Sequence, residues 1–126
     1  MKTDIYTPDR RKSPREMEYI RGICLEKAGL IIPHGGIAII DCSITPQIGD
    51  IVHCDNYLGT AQGFIKQIKE FRDDFIIVGT SYMDESKDFT FEAYTIYGVV
   101  TEVFHKHSGK RVYCRDEALQ RMKGGE

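Results

Sequence analysis

The chain of 126 residues has no tryptophan, four prolines and almost no excess of charge. Its 17 Lys and Arg against 19 Asp and Glu leave a net charge of -2, which is not the basic footprint of a nucleic-acid-binding protein. No apolar stretch approaches the roughly 20 residues of a membrane-spanning helix, and the N-terminus has no apolar core of a signal peptide. We therefore expect one globular domain in the cytoplasm, with no contact with a membrane.

Cysteine is also scarce, and no two cysteines have the two-residue separation that is typical of zinc or redox motifs. The four thiols, which we expect to be reduced, are Cys24, Cys42, Cys54 and Cys114. The four histidines are His34, His53, His105 and His107, of which the last two are expected to share one face of a strand. Single His and Cys residues within apolar segments are typical of core or edge positions. We therefore expect no metal site and no cofactor.

The N-terminal part is predicted to contain a flexible arm and one helix. Residues 1–12 offer little to bury and are expected to be mobile. The following residues 13–29 are predicted to be helical, with the helix itself over about 14–28, because Ser13-Pro14-Arg15-Glu16 has the pattern of a capping box. Apolar residues then recur at helical spacing and end at a glycine: Met17, Ile20, Cys24, Ala28 and Gly29.

From Gly35 onward, short runs of β-branched residues alternate with turn residues, which predicts a mainly β domain over residues 33–107. The predicted strands are Ile37 to Cys42, Ile51 to Cys54, Thr60 to Phe71, Phe75 to Thr80 and Ala93 to His105. The last of these is apolar on both faces, which favours a central strand or a subunit contact.

The C-terminal segment 108–126 is expected to be a basic, solvated tail. From Lys106 to Glu126 there are six Lys and Arg against three Asp and Glu. Residues 115–123 are predicted to form a short helix that ends at Gly124-Gly125. A contact of this tail with nucleic acid or with an acidic partner is a second interpretation.

Lys66 interrupts an apolar row. The two-residue period of a strand places Phe64, Lys66 and Ile68 on one face. A lysine can bury its stem and bring its ammonium group to solvent, which is the structural interpretation. A desolvated lysine can instead be neutral and act as a general base toward a nearby hydroxyl or thiol.

Four blocks of the sequence resemble, in order and spacing, the LexA and UmuD family of self-cleaving Ser–Lys peptidases. They are Gly35-Gly36-Ile-Ala-Ile-Ile-Asp41-Cys-Ser43-Ile44-Thr45, Gly49-Asp50-Ile51-Val52, Gly63-Phe64-Ile65-Lys66-Gln67-Ile68 and Ile96-Tyr97-Gly98-Val99-Val100-Thr101-Glu102-Val103. The resemblance covers roughly residues 33–107. It implies a complex β fold like that of the LexA/UmuD C-terminal domain, a cytoplasmic homodimer paired partly through the late strands, and Lys66 as the catalytic base.

The serine nucleophile of that family has no counterpart here, because the chain has no serine between Ser13 and Ser43. Ser43 matches a family position that is not catalytic. In one alignment, Gly22-Ile23-Cys24-Leu25 occupies the family's Gly-x-Ser-Met position, so that Cys24 is the nucleophile and Lys66 lowers the pKa of its thiol. In the other alignment, the nucleophile loop is deleted and Cys24 is a core residue of the predicted helix, which is the interpretation that its helical spacing favours.

Two functions follow from these alignments, and whether the chain is an enzyme stays open between them. We favour a non-catalytic relative that dimerises and binds a regulatory protein partner, as in SOS or prophage regulation. The alternative is self-cleavage by Cys24 and Lys66. The only Ala-Gly dipeptide, Ala28-Gly29, follows Cys24, whereas the family's cleaved bond precedes its nucleophile. DNA binding is not expected, because an arm and one helix cannot form the family's helix-turn-helix domain.

Overall fold

The structure is a computed structural model, and it describes residues 14–19, 22–25, 30–54, 64–74, 76–80, 88–93 and 96–124. These residues form ten strands and one helix, so the predicted mainly β class is confirmed. In chain order they are β1 Arg15–Tyr19, β2 Ile23–Leu25, β3 Leu30–Ile32, β4 Gly36–Asp41, β5 Ile51–Cys54, β6 Phe64–Phe71, β7 Ile76–Thr80, β8 Asp88–Glu92, β9 Ile96–His105, β10 Arg111–Cys114 and α1 Arg115–Gly124.

Eight of these strands form one antiparallel sheet in the order β1-β4-β9-β5-β6-β7-β8, with β10 paired to β9 outside this path. Strand β9 is central, because β4 pairs with one edge while β5 and β10 pair with successive parts of the other. Its apolar residues on both faces are explained by this position. Strands β2 and β3 form a separate two-stranded antiparallel sheet.

The sheet buries an apolar cluster on each face, because consecutive residues of a strand point to opposite sides. On β5, Ile51 belongs to the first cluster and Val52 to the second, and both are fully buried. The first cluster consists of Met17, Tyr19, Ile23, Ile32, Ala38, Ile40, Ile51, Ile65, Val100, Val103 and Tyr113. The second consists of Val52, Cys54, Ile68, Ile77 and Val99.

The prediction of an N-terminal helix over residues 14–28, within a segment 13–29, is wrong. Residues 15–19 form β1, which pairs with β4, and residues 23–25 form β2. The physical reason is a two-residue period: Met17 and Tyr19 are buried, whereas Glu16 and Glu18 are exposed. Pairing with β4 and burial in the first cluster outweigh the capping-box pattern. Ser13 and the predicted arm 1–12 lie outside the described residues.

The C-terminal segment is not a solvated tail throughout. Residues 111–114 form β10, and Tyr113 is buried in the first cluster. The short predicted helix is confirmed as α1, whose Ala118 packs against the same cluster. The described residues include no helix of the length and apolar character that crossing a membrane requires.

The strand predictions from residue 37 onward are close to the structure. The predicted strand Ile51 to Cys54 has the same ends as β5. Strand β4 begins and ends one residue before the predicted strand Ile37 to Cys42. Strands β6, β7 and β9 begin at Phe64, Ile76 and Ile96. Residues 60–63, 75, 94 and 95 of the predicted strands lie outside the described part, and Ala93 is described but does not belong to β9.

Candidate functional site

Lys66 lies in the middle of β6, where its register partner on β5 is Val52. Val52 and Ile68, the next residue of β6 on the same face, both belong to the second cluster. Lys66 itself is half-buried and has an interaction partner. Lys66 therefore shares a face of the sheet with the buried apolar residues Val52 and Ile68, and its role as a base remains a prediction.

Cys24 lies in β2 rather than in a helix, with Ile31 of β3 as its register partner. Its neighbour Ile23 is 1% exposed and belongs to the first cluster together with Ile65, the neighbour of Lys66. Strand β2 lies against β6, with Cα–Cα separations within 8 Å. The structure thus brings the strand that carries Cys24 beside the strand that carries Lys66, and the helical spacing that favoured a core role for Cys24 does not exist.

Gly22 fixes the start of β2. A Cβ atom at this position would overlap the backbone carbonyl oxygens of Ile32 and Pro33, so the two strands approach each other too closely here for a side chain. The Pro33 carbonyl also accepts a hydrogen bond from the Tyr19 hydroxyl at 3.1 Å. Burial raises the pKa of Tyr19 to about 12, which keeps this hydroxyl protonated as a donor. Strand β1 is therefore tied to the end of the β2–β3 hairpin.

The serines that the structure describes have structural roles. The Ser43 hydroxyl donates to Asp41 Oδ1 at 2.6 Å, and its backbone N–H donates to the same oxygen at 2.9 Å. This is a local turn directly after β4. Ser108 lies in the turn after β9, where its hydroxyl is 3.2 Å from His105 Nδ1. Neither contact is with Lys66, so the described residues show no Ser–Lys pair.

A buried polar cluster joins β1, β5 and β9. His53 is 1% exposed, and its Nδ1 is 3.1 Å from Arg15 Nη2, which donates because guanidinium has no acceptor. Burial and the neighbouring Arg15 charge lower the pKa of His53 to about 3, so the imidazole is neutral at pH 7. The ring of Tyr97 packs edge-on against His53, with centroids 5.9 Å apart. This cluster holds the edge strand β1 to the sheet.

An ion pair attaches α1 to the Gly-Asp turn before β5. The carboxylate of Asp50 is fully buried, and it accepts bonds from Arg115 Nε at 2.6 Å and Nη2 at 3.1 Å. Its Oδ2 also accepts from the Gln47 N–H at 2.9 Å. The backbone of Asp50 accepts from the Ile68 N–H at 2.9 Å. The Gly-Asp block of the sequence is thus a structural junction of β5, β6 and α1.

The expectation that His105 and His107 share a strand face is wrong, because β9 ends at His105 and His107 lies in the following turn. Their rings are nevertheless close, with centroids 5.9 Å apart. His105 Nδ1 accepts a hydrogen bond from the Ser108 backbone N–H at 3.3 Å and lies 3.2 Å from the Ser108 hydroxyl, and these contacts close the turn. In the parts of the chain that the structure describes, no three His, Cys, Asp or Glu side chains converge as metal ligands.

A largely apolar groove of about 390 Å³ lies beside the second cluster. Ile77, a member of that cluster, and Ile96, which packs against it, both line the groove. Phe71, at the end of β6, lines it and is 42% exposed, and Ile48, two residues beyond the lining residue Pro46, is 54% exposed. The residues that line the groove are Cys42, Ile44, Thr45, Pro46, Phe71, Ile77, Ala93, Ile96, Tyr97 and Gly98.

Sequence reasoning missed this groove and the two polar clusters. A signal for the groove is present in Phe71, an apolar residue directly before the charged turn Arg72–Asp74. The Asp50–Arg115 pair has no local signal, because 65 positions separate its members. The same is true of Arg15 and His53, which are 38 positions apart.

Comparison of the chain with protein-family models, with curated proteins and with solved structures finds no match.

Proposed function

We propose that this chain is a LexA/UmuD-like peptidase-fold protein that acts without proteolysis, by dimerising and by binding a regulatory protein partner. The observation that carries the proposal is that the Ser43 hydroxyl is engaged in a local turn and not with Lys66. The family's chemistry needs a serine within hydrogen-bond reach of the lysine amine. Here Ser43, the first serine after Ser13, donates to Asp41 at 2.6 Å in a local turn.

The β framework supports the same proposal. Lys66 keeps the position in an apolar row that the resemblance assigns to the base, while the Gly-Asp block is a structural junction that buries Asp50. The exposed Phe71 at the rim of an apolar groove is the kind of surface through which proteins bind one another. These features are those expected of a domain that retains the framework and lacks the reaction.

The test combines two measurements on the full chain. Sedimentation velocity over a range of concentrations reports the dimer, and intact-mass spectrometry of stored protein reports cleavage. The proposal predicts a reversible monomer–dimer equilibrium and an unchanged mass. A chain that stays monomeric throughout, or that cleaves itself, contradicts the proposal.

A second candidate is a Cys–Lys peptidase, and one specific observation favours it: β2, which carries Cys24, lies against β6, which carries Lys66. In this mechanism, the Lys66 amine takes the proton of the Cys24 thiol, and the thiolate attacks a peptide carbonyl. The acyl-enzyme is then hydrolysed by water, which regenerates the thiol.

The two candidates differ in the reactivity of Cys24. If Lys66 activates the thiol, alkylation of Cys24 by iodoacetamide is fast near neutral pH and its pH profile moves upward in Lys66→Met. Peptide mapping resolves Cys24 from Cys42, which serves as the internal control. The non-catalytic proposal predicts the same Cys24 profile in both proteins. A shift confined to Cys24 favours the peptidase.

A further inference from the structure

His53 and Arg15 form a buried contact between a central strand and an edge strand. His53 lies on β5, which pairs with β6 on one edge and with β9 on the other. Arg15 is the first residue of β1, whose partner among the described strands is β4. The Arg15 Nη2 donates to His53 Nδ1 at 3.1 Å, so the neutral imidazole carries its proton on Nε2. This hydrogen bond joins the start of an edge strand to a strand that is held on both edges.

Positive charge at His53 would find no carboxylate to balance it among the described residues. Arg15 is the charged side chain that lowers the pKa of His53, and Tyr97 of β9 faces the ring edge-on. On β6, the register partner of His53 is the apolar Ile65. Asp50, three residues before His53, is already engaged in the buried ion pair that attaches α1. A proton on His53 would therefore stand beside a second positive charge.

Protonation of His53 is incompatible with the contact to Arg15. An imidazolium has an N–H at both ring nitrogens, so its Nδ1 no longer accepts a hydrogen bond from the guanidinium. Two positive groups whose nearest nitrogens are 3.1 Å apart also repel each other strongly in a buried setting. The imidazolium is therefore favourable only after Arg15 has moved away and water has reached the ring.

The edge strand is the part that can move. Pairing on both edges holds β5 in place, whereas β1 is held through β4 alone among the described strands. At one end of β1, the Tyr19 hydroxyl donates to the Pro33 carbonyl at 3.1 Å. At the other end, the Nε of Arg15 is buried without a hydrogen-bond partner, so the bond to His53 is the polar attachment of that side chain. Opening should therefore begin at Arg15 and stop short of Tyr19.

We propose that protonation of His53 opens strand β1 from its Arg15 end, while the Tyr19 end stays attached. The opened segment spans residues 15–17 and uncovers the facing residues 38–40 of β4. Near neutral pH the strand is closed, because a released imidazole then binds little of the proton that stabilises the open state. Strand β1 is thus a pH-sensitive edge of the sheet, whether or not the chain dimerises or cleaves itself.

Amide hydrogen exchange of the full chain, followed by NMR at pH 7 and pH 5, tests the proposal. Because Met17 is buried in the first cluster, the open state is rare, and exchange detects rare states. Division by the intrinsic exchange rate at each pH gives an opening constant for each amide. We expect the amides that join residues 15–17 to residues 38–40 to open more often than Tyr19, Gly36 and the centre of β9 at both pH values. From pH 7 to pH 5, their opening constants should rise at least about fivefold.

Matched histidine variants identify the group that titrates. His53→Asn keeps an acceptor for Arg15 and cannot be protonated, so its opening constants at the Arg15 end should be the same at both pH values. His53→Gln is a second neutral replacement with the same expected result. His107→Asn, at an exposed histidine, should keep the rise of the wild type. Circular dichroism at both pH values confirms that each variant is folded.

Three outcomes overturn the inference. If the amides at the Arg15 end open only as often as the centre of β9, β1 opens with the whole fold and not by itself. If their opening constants are the same at pH 7 and pH 5 in the wild type, the Arg15 side chain leaves His53 without opening the strand. If the rise is equal in the wild type and in the folded His53 variants, another group titrates.

Discussion

At the scale of single residues, stability depends on polar groups that are buried next to β5. His53 is neutral in the folded chain because burial and Arg15 lower its pKa to about 3, whereas the unfolded imidazole titrates near its ordinary value of 6.5. Between these values the unfolded state binds a proton that the folded state does not. The free energy of unfolding must therefore fall as the pH falls below about 6.5.

Between pH 7 and pH 5, the lower pKa of His53 in the folded state is expected to reduce the free energy of unfolding by about 2 kcal/mol. His53→Asn, which retains an acceptor for Arg15, should remove that part of the pH dependence. The control His107→Asn, at an exposed histidine, should keep it. Urea unfolding followed by circular dichroism measures both, since the chain lacks tryptophan. Equal pH slopes in the wild type and His53→Asn would refute this account of His53.

The Asp50–Arg115 pair gives a second prediction at this scale. Asp50→Asn removes a fully buried charge partner of Arg115 and should destabilise the fold by about 3 kcal/mol. Glu117→Gln breaks an exposed ion pair with Arg111 and should cost less than about 1 kcal/mol. Urea unfolding at pH 7 compares the two variants. If Asp50→Asn and Glu117→Gln lose similar amounts of stability, burial of Asp50 does not strengthen the Asp50–Arg115 pair.

At the scale of elements, the sequence predicted what local patterns determine. Alternation and turn residues located β4, β5 and β9, and the run Arg115–Lys123 located α1. Strand β1 was missed because Met17, Ile20 and Cys24 also fit a helical period and a capping box precedes them. Only the pairing of β1 with β4, which is distant in sequence, decides between the two periods. The position of β2, which carries Cys24, beside β6 likewise depends on contacts between segments that are distant in sequence.

The β2–β3 hairpin gives the prediction at this scale. Gly22→Ala introduces a Cβ into the carbonyl oxygens of Ile32 and Pro33, so the hairpin must open and lose part of the burial of Ile23. The expected loss of stability is at least about 2 kcal/mol. Gly109→Asn is the control, because this turn glycine has open space around it and a positive φ that Asn tolerates.

Amide hydrogen exchange locates the effect of Gly22→Ala. Exchange should rise in β2 and β3 and in Tyr19, whose hydroxyl donates to Pro33. It should remain slow at the centre of β9. If Gly22→Ala is as stable as the wild type, the close approach of the two strands at Gly22 is wrong. A helical pattern of protection over residues 14–28 would contradict β1 and β2 together.

At the scale of the whole molecule, an antiparallel sheet covered on both faces holds Lys66 in an apolar row and leaves an open apolar groove at one end. The fold class could be predicted from the sequence, while the groove could not, because its lining residues come from the turn after β4, from β6, β7 and β9, and from Ala93 after β8.

The most direct test of the absence of proteolysis is the intact mass of the full chain after prolonged incubation at neutral and mildly alkaline pH. Wild type, Cys24→Ala and Lys66→Ala are compared, with Cys42→Ala as the matched thiol control. Our proposal predicts a single full-length mass for all four proteins. Fragments that form in the wild type and in Cys42→Ala, and that are absent from both Cys24→Ala and Lys66→Ala, would contradict it and establish the Cys–Lys peptidase.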